Sequence, residues 1–173
     1  MDNNETEMPI TGHLNELRKR VTWIFIFVMI TAVVAFAFNR QIIAMLLMPF
    51  PDGVEIVQIG VTEGLGVSMK VAIVAGLFVA FPVISFQTIM FINPALEKKE
   101  KRYVYYSLPI VFTLFFLGIS FSFFLLLPFM MKFLPTFLGD LVTPQISVRS
   151  VVGTTLWLMF VMGFIFQIPV VMF

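Results

Sequence analysis

Apolar residues gather in four long blocks, at about 21–38, 67–90, 104–127 and 151–173, and the polar residues collect between them. A hydrocarbon core of about 30 Å needs roughly 20 apolar residues per helical crossing, and each block meets that requirement. The expected fold class is therefore an all-α polytopic membrane protein, with four transmembrane helices in a helical bundle. Two longer loops, at about 39–66 and 128–150 and rich in Pro and Gly, are expected on one side of it. No internal repeat or low-complexity segment divides the chain, so residues 1–173 are read as a single transmembrane domain.

Composition agrees with this class, since 60% of the 173 residues are hydrophobic and only 12% are charged. A net charge of +1 leaves no basic footprint for nucleic acid. The placement of charge is more informative. Arg18, Lys19 and Arg20 flank the first block, and Lys98, Lys99, Lys101 and Arg102 separate the second from the third. The other two loops hold only Arg40, Lys70, Lys132 and Arg149, so the positive-inside rule puts the N-terminus and the 91–103 loop in the cytoplasm. The N-terminus MDNNETEMPIT is short and acidic, unlike a signal-peptide start, and the first span is expected to stay in the mature protein. The chain stops at FQIPVVMF inside apolar sequence, where a terminal carboxylate would be costly in lipid; the expectation is either that further spans follow in the natural protein or that the sequence is a fragment.

The candidate chemistry sits in the two basic stretches. In GHLNELRKRVTWIFIF, a helix capped at Thr11 presents Leu14, Leu17, Val21 and Ile24 on one face and His13, Glu16 and Arg20 on another. Its plainest reading is a Glu16–Arg20 pair at i,i+4 on a helix lying at the membrane surface, worth about 0.3–0.5 kcal/mol. His13 and Glu16 lack a second His or any Cys, so no metal site is expected. In FINPALEKKEKRYVYY, Asn93 and Pro94 read as a helix start. Glu97 has Lys101 four residues on, but Glu100 has no basic neighbour at helical spacing. A lone carboxylate beneath Tyr103, Tyr105 and Tyr106 is most simply an interfacial charge; the alternative is a carboxylate left open for an incoming cation. Glu16 and Glu100 come from distant segments on the same side of the membrane. Two such carboxylates suit two guanidinium groups, because Arg bonds carboxylates bidentately and keeps its charge.

Within the blocks, Gln87 and Gln167 are the most polar residues, and each is expected to face another helix and hydrogen-bond there. Pro82, Pro109 and Pro169 are expected to kink their helices or mark their ends. No phosphate-binding glycine loop and no nucleophile–base set occurs, so neither an enzyme nor a cofactor is expected.

Several of these stretches together resemble the TatC family, the signal-peptide receptor subunit of the twin-arginine protein translocase. HLNELRKR resembles the family's N-terminal motif, FINPALEKKEKR its first cytoplasmic loop, LGISFSFFLLLPFMMKFL its third span and GFIFQIPVVMF its fourth. The resemblance implies a bacterial inner-membrane receptor that binds paired-arginine signal peptides of folded cargo. It also implies TatA-type and TatB-type single-span partners, self-association and a drive from the proton-motive force. By position, Glu16 and Glu100 match the arginine-recognising carboxylates, Leu17, Arg18 and Phe91 fall in the same two motifs, and Pro49 matches a proline of the first outer loop. The chain departs from the family twice. Gln167 stands where an intramembrane Glu is common, which leaves a hydrogen-bonding role in partner assembly, and four spans are present where the family has six. The rival reading, a fragment of a secondary transporter or channel, predicts ionisable groups deep in the spans, and the blocks carry none apart from Lys70 near an end.

Overall fold

The computed structural model describes residues 10–50, 56–92, 98–137 and 146–172. Helix α1 spans Ile10–Ala37, so the basic opening stretch and the first apolar block form one rod of about 42 Å, rather than a surface helix followed by a span. Neither Gly nor Pro occurs between Leu14 and Ala37, so nothing interrupts the hydrogen-bond ladder there. A turn at Phe38 leads into α2 (Asn39–Leu47), which occupies part of the expected first loop. Its Ile42, Ile43, Leu46 and Leu47 make the apolar face that docks on the bundle, while Arg40 and Gln41 are exposed.

Strand β1 (Ile56–Val57) precedes α3 (Glu63–Ile92), a 30-residue helix that runs unbroken through Pro82. Helix α4 (Lys98–Phe121) passes Pro109 and continues through a π-helical turn, Ser122–Leu126, into α5 (Leu127–Phe137). The expected third block, 104–127, is thus the middle of a longer rod. Pro128 accounts for the wide turn: it has no N–H for the carbonyl of Phe124 and its ring presses on that group, so the chain opens to the i→i+5 bond from Leu127 N to Ser122 O. Strand β2 (Ile146–Ser147) lies parallel to β1, with Ile56 opposite Ile146 and Val57 opposite Ser147, and joins the two expected loops. Helix α6 (Val148–Ile165) starts at a Ser147 cap whose side chain accepts from Ser150 N at 3.2 Å. The fourth block does not continue unbroken to its end; it breaks at Phe166–Gln167 and resumes as α7 (Ile168–Val171), next to Pro169.

The helices meet where side chains are smallest. α1 and α3 run antiparallel and touch at Gly76, where an added Cβ would lie 2.6 Å from both the N and the Cα of Ala32. There Thr31 Oγ1 donates to Gly76 O at 2.9 Å. α4 and α6 cross at Gly118 and Gly163, where a Cβ on Gly118 would lie 2.6 Å from Met162 O. Two apolar clusters fill the interior. One joins Leu46, Val67, Val71, Phe123, Leu127, Met131, Val152 and Leu156; in the other, Phe81 stacks on Phe115 at 3.5 Å beside Phe78 and Ile119. Large apolar side chains such as Trp23, Phe25 and Val33 on α1 point outward, as expected of a helix whose solvent is lipid.

Candidate functional site

The antiparallel arrangement brings the N-terminus of α1, the C-terminus of α3 and the N-terminus of α4 to one end, which also carries Arg18, Lys19, Arg20, Lys98, Lys99, Lys101 and Arg102. At this basic end Glu16 Oε1 accepts from both Nε (3.1 Å) and NH2 of Arg20, the i,i+4 pair expected from the sequence. Arg20 NH1 also reaches across to α3 and donates to Gln87 Oε1 at 3.1 Å. Gln87 therefore faces a neighbouring helix, as expected, but its partner is a charged group. The side chains of Arg20 and Glu16 are 17% and 25% exposed, so the pair is partly shielded from water and open to it on one side.

Two contacts fix the register between α1 and α3: Thr31 with Gly76 and Arg20 with Gln87, eleven residues apart on each helix. One further turn along the same register sets Glu16 level with Phe91. Phe91 is half-buried, whereas Leu17 and Arg18 are exposed on the turn that carries Glu16. Glu16, Leu17, Arg18 and Phe91 thus share one end of one helix pair. Glu100 lies in the first turn of α4, at the same end of the bundle, but its side chain and that of His13 fall outside the described residues, as do Asn93, Pro94 and Glu97 entirely.

Gln167 and Pro49 are placed elsewhere. Gln167 is buried at the α6–α7 break, and its Nε2 donates to Val111 O of α4 at 2.9 Å, the interhelical hydrogen bond expected of an intramembrane Gln. Val111 is thirteen residues, or about 20 Å, along α4 from its first residue, so this contact is remote from the carboxylates. Pro49 follows α2 at the opposite end of the bundle. Among the described residues no group of His, Cys, Asp and Glu is disposed to hold a metal ion.

One buried carboxylate was not singled out by the sequence. Glu63, the first residue of α3, accepts from Ile59 N (2.7 Å) and Gly60 N (3.0 Å) through Oε2 and from Arg149 N (2.9 Å) through Oε1. It fastens the start of α3 to the start of α6, beside the β1–β2 pair. An acidic residue at a helix start is the local signal for such a cap, but the Arg149 partner, 86 residues away, has none.

A family model for the Sec-independent protein translocase protein (TatC) matches residues 12–173. The chain is 37% identical to an uncharacterized tatC-like protein, ycf43, of Gracilaria tenuistipitata var. liui, covering 98% of this chain and 71% of that protein. It is 36% identical to TatC of Aquifex aeolicus (96% and 71% covered) and 31% identical to TatC of Desulforapulum autotrophicum (99% and 65%). It therefore spans about two thirds of the length of such relatives. A crystal structure of the twin arginine translocase receptor TatC superposes with a TM-score of 0.83 at 34% identity, over 92% of this chain and 73% of that one.

Proposed function

Because this chain belongs to the TatC family of Sec-independent protein translocase proteins, we propose that its basic end is the cytoplasmic docking site for signal peptides with paired arginines. The observation that carries the reading is the seat of Arg20: a carboxylate, Glu16, already holds a guanidinium through two nitrogens at the end of the bundle, and Gln87 takes a third. A site that binds an internal arginine in this way has the chemistry to bind an incoming one, since the planar fork matches a carboxylate and a neutral amide acceptor side by side. In this reading Glu16 and Glu100 each take one arginine of the pair. Leu17, Arg18 and Phe91 shape the surface around them, with Phe91 offering an apolar face level with Glu16.

Family membership supports a wider role. The chain acts as the receptor component in the bacterial inner membrane, N-terminus in the cytoplasm, and hands folded cargo outward with TatA-type and TatB-type partners under the proton-motive force. Gln167 serves the assembly of those partners and Pro49 shapes the outer loop. The test is site-specific crosslinking between a paired-arginine signal peptide and photoreactive residues placed next to Glu16, Phe91 and Glu100. Crosslinks at these positions that vanish when the peptide's arginines become glutamines are expected. Crosslinks confined to the opposite end, near Pro49, would overturn the reading.

A further inference from the structure

At the end opposite Glu16, a groove of about 570 Å³ opens between α3 and α6, lined by Thr62, Leu65, Gly66 and Met69 on one side and Ser147 and Arg149 on the other. The carboxylate of Glu63 also lines it, but that group is taken up by three backbone N–H donors. Arg149 is thus the cation that lines the groove, and Lys70 follows Met69 of its wall. Arg149 is exposed at its rim, and one turn further along α6 the ammonium of Lys70 crosses from α3 to rest over Gly153, 3.1 Å from where a Cβ would stand. Lys70 lies seven residues, about 10 Å, inside a 30-residue apolar helix. Lys70 is exposed, and among the described residues no carboxylate pairs with it or with the guanidinium of Arg149. Asp52, Glu55 and Asp140 lie outside the described residues.

We propose that the notch formed by Lys70, Gly153 and Arg149 binds the phosphodiester headgroup of an anionic phospholipid. Three features favour that occupant. Arg149 and Gly153, against which the Lys70 ammonium rests, are one turn apart on α6, so the two cations border the same stretch of helix, which suits a phosphate. The missing side chain at Gly153 lets the Lys70 ammonium rest against α6. Along the same face of α6 the spacing Arg149, Gly153, Trp157 places an indole that is 64% exposed about 12 Å along the helix from Arg149 and about 6 Å from Gly153, on the side of the acyl chains. Leu65 and Met69 on α3 continue the apolar wall. A zwitterionic lipid carries a compensating cation that the notch would repel, so selection falls on net charge.

Trp157 provides a local readout, because Trp23 is the only other tryptophan. With Trp23→Phe as background, fluorescence quenching is compared in vesicles of phosphatidylcholine and of phosphatidylglycerol carrying brominated acyl chains. Phosphatidylglycerol should occupy the site next to Trp157 with a preference of roughly fivefold over phosphatidylcholine. Lys70→Gln with Arg149→Gln should bring the ratio to about unity, and Gly153→Val should lower it with both charges kept. The basic residues around Glu16 lie at the far end of the bundle and should leave the ratio unchanged when Lys19 is replaced by Gln. Equal quenching by the two lipids in the parent, or a preference that survives the double substitution, would overturn the assignment. So would a preference abolished by millimolar inorganic phosphate but not by sodium chloride of equal ionic strength, since that marks a site for a free anion.

Discussion

Replacing Arg20 with Met should tighten the binding of a paired-arginine signal peptide, although the substitution removes a residue from the proposed site. Arg20 occupies Glu16, so an incoming arginine has to displace it. Both side chains are partly exposed, and screening keeps such a pair to about 0.2–1 kcal/mol. The hydrogen bond from Arg20 to Gln87 adds about 0.6 kcal/mol, the usual value for a polar contact between helices in a membrane. Unseating Arg20 thus costs on the order of 1 kcal/mol, or roughly fivefold in affinity. Arg20→Met also removes a like charge, and Lys19→Met serves as its control, since Lys19 is exposed on the adjacent residue. Gln87→Leu changes no charge, and by loosening Arg20 it should tighten binding by roughly two- to threefold. Glu100 has no basic neighbour at helical spacing, so Glu100→Gln should weaken binding by about tenfold to a hundredfold, more than Glu16→Gln does. Affinities for paired-arginine and paired-lysine peptides, measured in nanodiscs at moderate salt, decide the matter. If Arg20→Met and Gln87→Leu both weaken binding while melting temperatures hold, Arg20 contributes to the ligand surface and the displacement argument is wrong.

Gly76→Val should drive α1 away from α3, because the new side chain meets the Ala32 backbone; a loss of about 1–3 kcal/mol in thermal stability in detergent is expected, with Gly66→Val, where an added Cβ meets nothing, as the benign comparison. Glu63→Ala strands three backbone donors and should speed proteolysis of the loops on either side of β1 and β2; unchanged cleavage would show that the carboxylate does not hold them. Gln167→Leu should impair translocation or partner assembly more than peptide affinity, and a collapse of binding with assembly intact would contradict that. Cysteine labelling near position 140 should occur only from outside sealed vesicles, and labelling only from the cytoplasmic side would invert the topology.

The four membrane-length helices were legible because lipid imposes one rule on the whole chain, and the blocks announce it by length alone. Their ends were less legible. α1 begins eleven residues before its apolar block because helix propensity, unlike hydropathy, does not stop at Arg20. α5 and α2 extend into segments whose Pro and Gly content reads as loop. The Glu16–Arg20 pair was visible in a spacing of four, and that Gln87 would find another helix was visible in its polarity, yet the identity of its partner depends on the α1–α3 register, set by Gly76 and Thr31. Glu63 carried a local signal as an acidic residue at a helix start, but its bond to Arg149 did not, since nothing local marks residues that meet across 86 positions.

The short parallel pair of β1 and β2, with Glu63 beside it, makes the starts of α3 and α6 the natural fulcrum for any swing of one helix against the other. α3 and α6 are fastened at their starting ends, so a separation of their far ends would take the form of a pivot there and would have to part Phe81 from Phe164. Along α3, about 45 Å from first to last residue, a rotation of about 5° amounts to nearly 4 Å of travel at Phe91. Travel of that size pulls a side chain clear of the neighbour it touches. The level of Glu16 and Phe91 is where the displacement would be greatest, and the notch at Lys70 and Gly153 is where it would be small.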